Sequence, residues 1–251
     1  MLLSLYIGIP NIAFAQAQIL QLKNIKMHSQ LEKEVCQSIP LDCKNKKSWS
    51  LYRVETAKDE LYVISALKLY QLNKSKQGIQ LINSWDFSAH VPQKVSTFWT
   101  TEEDIHEPSK DKLIYPRLFQ ISANTYAVAV IQSFSEMYSG GSMHEERADF
   151  FELLPKHQYQ LRFQNIPFSV NRMARACFSD SDIKESKGKC ADDENLVLNI
   201  QYLKPYTWQM QYHYYRELSP VSDQQALNQR KNYVIQSIDD EIKFPQAWRS
   251  Y

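Results

Sequence analysis

Glycine is scarce, at 5 of 251 residues. That excludes collagen-like and glycine-rich architectures and weakens any nucleotide-binding reading, which depends on glycine fingerprints. Charge of one sign is missing as well: 29 basic and 28 acidic side chains leave a formal net charge of +1. A partner held by bulk charge, nucleic acid above all, is therefore not expected. Most chemical motifs are lacking too. His144-Glu145-Glu146-Arg147-Ala148 begins like a zinc-binding H-E-x-x-H run but has no second histidine. There is no G-x-S-x-G elbow, Walker loop or dinucleotide fingerprint, and the S-x-x-K spacings at Ser65, Ser109, Ser181 and Ser186 lack their partner motifs. The six histidines (His28, His90, His106, His144, His157 and His213) are dispersed, so any cluster has to be assembled by the fold. No cofactor or metal is expected.

What is present is the composition of a globular protein: 43% apolar residues with a mean hydropathy of −0.49. Met1–Ala15 carries no charged side chain, and the first in the chain is Lys23. The segment ends in Ala13-Phe14-Ala15, the small-x-small pattern that signal peptidase cuts, which predicts Gln16 as the mature start. It is shorter than the roughly 20 apolar residues of a membrane span. A basic opening is missing, consistent with a start codon inside a longer signal; a buried first element is the competing reading. The expected organisation is a signal peptide over 1–15 and one domain over 16–251. The mature protein is then periplasmic or secreted, with no integral membrane segment.

The four cysteines agree with an oxidising compartment. They fall as Cys36 with Cys43 and Cys177 with Cys190, without the C-x-x-C spacing of zinc knuckles or redox motifs. Of three possible connectivities, nearest-neighbour pairing is expected, because each pair brackets a short polar loop. Rings of this size contribute roughly 2.5 to 3 kcal/mol each by loop entropy.

Leu20, Met27, Leu31 and Val35 recur at helical spacing, and Pro40 stops that helix. Ten candidate strands follow: Ser50–Thr56, Leu61–Leu72, Ile79–Phe87, Val95–Thr100, Leu113–Ile121, Thr125–Phe134, Asp149–Leu154, Tyr159–Ile166, Leu196–Leu203 and Tyr206–Tyr215. Thr125–Phe134 is the most apolar and is placed centrally. In the last strand Tyr206, Trp208, Met210, Tyr212 and Tyr214 share one face. Thr100–Lys112 reads as a surface loop. A second helix is expected after Ser219-Pro220, with Ser222 and Gln225 at capping-box spacing and Leu227, Val234, Ile238 and Ile242 on one face. The fold class is mainly β (α+β): one antiparallel, β-rich domain with a helix near each end.

Two places carry mixed chemistry. Ser133–Arg147 holds the only Gly-Gly pair, and Tyr138, Gly140, Gly141, Met143, His144 and Glu145 form a candidate binding loop. A wide hairpin turn is the competing reading. The loop closed by Cys177 and Cys190 has Asp180, Asp182, Asp192, Asp193 and Glu194 in or beside it, carboxylates of the kind that hold calcium; Asp-x-Asp is not followed by the Asx and Gly of an EF-hand, and a solvated acidic turn is the expected reading.

The run Leu113–Phe134, the segment Tyr138–Leu154 and Arg172–Cys190 with Asp192-Asp193-Glu194 resemble a group of uncharacterised exported bacterial proteins. Members of that group carry a Tyr-Ser-Gly-Gly turn and a two-cysteine loop; the resemblance covers about Leu113 to Tyr215 and implies no activity. In size, export and β-rich texture the chain is also similar to periplasmic immunity proteins of the type VI secretion system. The expected function is a binding protein without catalysis, an inhibitor or immunity factor whose partner is another exported protein, a toxin or enzyme. The 15 tyrosines and 5 tryptophans suit interfaces as well as sheet packing. The alternative is an exported hydrolase acting on cell wall or lipid, with Glu136, His144, Glu145 and Glu146 as first suspects.

Overall fold

The computed structural model describes residues 19–25, 29–41, 43, 45, 48–98 and 105–248. In chain order the elements are β1 (Ile19–Asn24), α1 (Ser29–Ser38), β2 (Trp49–Val54), β3 (Ala57–Ser65), β4 (Lys68–Ser75), β5 (Gly78–Asp86), β6 (Val95–Ser96) and β7 (Ile105–His106). They continue with β8 (Lys112–Gln120), β9 (Tyr126–Tyr138), β10 (Gly141–Leu153), β11 (Tyr159–Arg175), α2 (Asp180–Glu185), β12 (Ala191–Lys204), β13 (Thr207–Glu217) and β14 (Asn228–Ile235). A single 3-10 turn at Gln246–Trp248 lies near the end.

Twelve strands form one antiparallel sheet in the order β14-β13-β12-β11-β10-β9-β8-β1-β2-β3-β4-β5. Two up-and-down meanders, β2 to β5 and β8 to β14, are stitched together by the short first strand. Ile19–Gln21 pairs with β8, and Leu22–Asn24 pairs with β2. The remaining pair, β6 with β7, forms a two-stranded ribbon.

Alternation along the strands builds three cores. On β9, Ala127, Ala129 and Ile131 enter one cluster with Phe150, Phe163, Trp208 and Tyr212, while Val128 and Val130 enter another with Trp85, Phe87 and Phe151. Both faces of this strand are covered, as its unbroken apolar run requires, and it lies near the middle of the sheet. The third cluster packs Leu31, Val35 and Ile39 of α1 on Leu51, Leu61, Val63 and Leu72. Trp208, at the start of β13, closes one side by donating its indole N–H to the Gln120 carbonyl at 2.6 Å.

Several expectations need correction. Of the four residues expected on the first helix, Leu31 and Val35 are on α1 (Ser29–Ser38), Leu20 is instead on β1, and Met27 lies outside the described residues. Leu61–Leu72 is not one strand but the β3–β4 hairpin, turning at Ala66, which takes φ 48°. Only Val95 and Ser96 are strand in Val95–Thr100, of which residues 99 and 100 are not described. The Thr100–Lys112 loop contains β7, and Tyr206 is in a turn with φ 58° instead of on the inner face of β13.

No second helix follows Ser219-Pro220. Ser219 donates its backbone N–H, and Ser222 its hydroxyl, to the Asp192 carboxylate at 2.7 and 2.6 Å, and the chain then forms β14. The open edge of β13 offers eight paired positions to Asn228–Ile235, and that pairing outweighs a helical spacing of four apolar residues. The signal-peptide region and Gln16 lie outside the described residues.

Both expected disulfides are formed, Cys36–Cys43 and Cys177–Cys190.

Candidate functional site

The Gly-Gly segment is a tight hairpin, not a wide turn. Tyr138 pairs with Gly141, so Ser139 and Gly140 alone make the turn between two thirteen-residue strands. Gly141 is required there by close approach: a Cβ would lie 1.9 Å from the Met173 carbonyl oxygen. A Cβ at Gly140 would meet only the Tyr138 ring, at 3.4 Å.

The pairing distributes the six candidate residues over two faces. Tyr138, Gly141, Met143 and Glu145 share one, and His144 is on the other with Met137. Tyr138 is half-exposed at the tip, whereas Glu145 is completely buried. Its carboxylate accepts the Phe98 backbone N–H at 2.5 Å and the Arg147 Nε at 2.6 Å. Glu145 and Arg147, both on β10, therefore fix the Ser96–Phe98 segment to the sheet and are not presented at the tip.

On the outward face the two regions singled out in the sequence come together. Met137, Ser142 and Met173 are in register across β9, β10 and β11, which sets the two methionines two strand spacings apart, about 10 Å. Met137 is 87% exposed and Phe178, in the disulfide-closed loop, 75%. Arg175 links them: its backbone N–H bonds the Gly140 carbonyl at 2.6 Å, its Nε bonds the Cys177 carbonyl at 2.6 Å, and its guanidinium is 5.5 Å from the centre of the Phe178 ring. These exposed side chains, with Ser142 between the two methionines, make a ledge at one end of the sheet beside the disulfide-closed loop. Alongside β9, His106, Glu107, Ser109, Ser135 and Glu136 line a shallow depression of about 410 Å³.

The same face carries a polar line. Ser135 Oγ is 2.8 Å from His144 Nδ1, and His144 Nε2 is 3.8 Å from Glu146 Oε1, which in turn is part of a carboxylate accepting the Ser169 hydroxyl at 2.8 Å. These side chains stand on adjacent strands of an open sheet surface, with His144 46% exposed.

The carboxylates near the second disulfide do not converge. Asp182 caps α2, accepting the backbone N–H groups of Phe178 and Ser179 at 2.8 Å each, and the Phe178 bond leads the lowering of its pKa. Asp192 is committed to Ser219 and Ser222, and Glu194 accepts the Tyr214 hydroxyl and the Arg216 Nε at 2.8 and 2.7 Å. Among the described residues no cluster of three or more His, Cys, Asp or Glu side chains with metal-binding placement occurs.

A cleft not read from the sequence lies between strand residues Arg147, Gln164 and Asn165 and the C-terminal run Asp239–Ile242, with a volume of about 430 Å³. Behind it His90 Nε2 meets the buried Asp149 carboxylate at 2.7 Å, and Asp149 also accepts the Asn165 backbone N–H at 2.7 Å. The register shifts of β10 around Arg147–Phe150 and the positive φ of Asn165 fall at this pocket, which Arg147 and Asn165 line. Comparisons with family models, with curated proteins and with solved structures found no match.

Proposed function

We propose that this is an exported binding protein, an inhibitor or immunity factor that docks another exported protein, a toxin or enzyme, on the hairpin and disulfide ledge. The observation that carries this reading is the ledge itself. Met137, Met173 and Phe178 expose apolar surface together on a rigid sheet end, with Tyr138 at the adjoining tip. Adaptable methionine and aromatic side chains exposed close together at one end of a sheet are typical of protein-binding surfaces. Two disulfides suit an oxidising compartment, and no helix among the described residues is long and apolar enough to cross a membrane. The resemblance to exported proteins with a Tyr-Ser-Gly-Gly turn and to immunity proteins is in keeping with it.

The test is affinity capture of the mature protein's partner from a periplasmic extract, followed by titration. Tyr138→Ala weakens the complex by about 1 to 3 kcal/mol without unfolding the protein. Equal affinity in the folded variant removes the tip from the interface.

A second reading, an exported hydrolase acting on cell wall or lipid, is favoured by the Ser135–His144–Glu146 line. Its histidine contacts serine through Nδ1 and stands on an open surface, without the water-excluding cleft that such chemistry uses. Hydrolysis of cell-wall or lipid substrates that disappears in Ser135→Ala and His144→Ala decides for this reading.

A further inference from the structure

We infer that the outward face of β12–β14 binds an uncharged glycan chain. The inference stands independently of the protein-binding ledge and concerns different residues. Strand alternation turns four residues of each of these strands away from the core: Asn195 to Gln201 on β12, Gln209 to Tyr215 on β13 and Asn228 to Val234 on β14, at every second position. Arg230 is the single charged residue among them, and seven are Asn or Gln.

That composition is not what a sheet surface needs for folding. Asn is depleted in strands, and side-chain amides have no packing advantage on a solvent face. Here they stand in register. Asn199, Gln211 and Asn232 form one row across the three strands, and Asn195, Tyr215 and Asn228 form another. The amides are held in defined orientations by each other: Asn199 donates to Gln211 at 2.7 Å, Gln211 to Gln201 at 3.0 Å, and Asn171 of β11 to Asn195 at 3.0 Å. A primary amide offers donors and acceptors on one group, which matches the hydroxyls of a sugar, each of them both donor and acceptor.

The face also has a stacking element. The His213 and Tyr215 rings lie 5.1 Å apart at 38°, next to each other on β13, and each is flanked by outward residues of both neighbouring strands. Such rings accept the apolar C–H face of a sugar while amides on either side take its hydroxyls. A depression of about 410 Å³ bordered by Val197, Asn199, Gln211, His213, Arg230 and Asn232 gives the surface a concavity. With one formal charge on the whole field, recognition by ion pairing is not available. A charged polymer, a nucleic acid or an acidic peptide finds no complement there, and an uncharged polyhydroxyl chain does.

The experiment is retention of the purified full-length mature chain on three uncharged glycans (chitin, cellulose and dextran), with polygalacturonate as the charged control. Calorimetric titration with soluble oligomers of whichever glycan is retained then gives the affinity. Wild type binds at least one neutral glycan, with an affinity that changes less than about twofold between low and high salt. Tyr215→Ala, and separately the pair Asn199→Asp with Gln211→Glu, weaken it about tenfold or more while far-ultraviolet dichroism is unchanged. Absence of binding to all three neutral glycans, preference for the charged polymer, or unchanged affinity in the folded variants overturns the inference. So does a concentration-dependent dimer of wild type that the same variants dissociate, because the face would then be covered by a second copy.

Discussion

Glu145 and Arg147 show what a buried charge does in this sheet. Glu145 is fully buried and is matched by the Arg147 guanidinium and the Phe98 N–H, while Arg147 also donates to the Ser96 carbonyl at 3.0 Å. Removing one partner strands the other in a medium that cannot solvate it, so Arg147→Ala is expected to cost about 3 to 5 kcal/mol in urea denaturation. Tyrosines make a second residue-scale prediction. Burial raises the pKa of Tyr212 well above 10.0; it does the same to Tyr62 with help from Glu60, and to Tyr214 with help from the Glu194 charge. Each raised value means that the folded chain keeps a proton that the unfolded chain releases near pH 10. Stability from these groups is therefore complete below about pH 10 and falls above it, by up to about 1.4 kcal/mol per pH unit for each tyrosine. Urea midpoints measured from pH 8 to 11 should stay level and then drop, and Tyr212→Phe should flatten the drop.

At the scale of elements, the hairpin tip depends on one glycine and not on both. Gly141→Ala forces its methyl group into the Met173 carbonyl and must push β10 away from β11, for an expected loss of about 1 to 3 kcal/mol; Gly140→Ala stays within about 0.5 kcal/mol of wild type. Thermal melts of the two variants make the comparison. Opening the second disulfide with Cys177→Ser and Cys190→Ser together should cost about 2 to 3 kcal/mol and raise amide exchange through α2 more than in β12. Much at this scale was legible in the sequence. The Trp208, Met210, Tyr212 and Tyr214 alternation is the buried face of β13, and both cysteine pairs follow their spacing. The β3–β4 turn was not legible, because Ala66 and Leu67 are neither Gly nor Asn and the apolar run continues through them. The C-terminal strand was missed for a different reason: Leu227, Val234 and Ile238 fit a helical spacing, and only the waiting edge of β13 shows that they are needed as strand and tail. The Gly-Gly pair marked the hairpin tip. Met137, Met173 and Phe178 gave no such signal, since cross-strand register alone makes them neighbours.

Across the whole molecule, one twelve-stranded sheet has both faces covered near its middle. One end carries the ledge, where the strands of the longest hairpins run out beyond the core and a disulfide-fixed loop closes beside them. If that ledge is the docking surface proposed above, its most exposed side chain is the place to change. Met137→Thr keeps a good strand former and removes the apolar side chain of a residue 87% exposed, where little packing is lost. Titration of the captured partner against wild type and Met137→Thr, with melting temperatures recorded in parallel, is expected to show affinity reduced at least about tenfold at unchanged stability. Equal affinity of the two folded proteins for that partner would contradict the account.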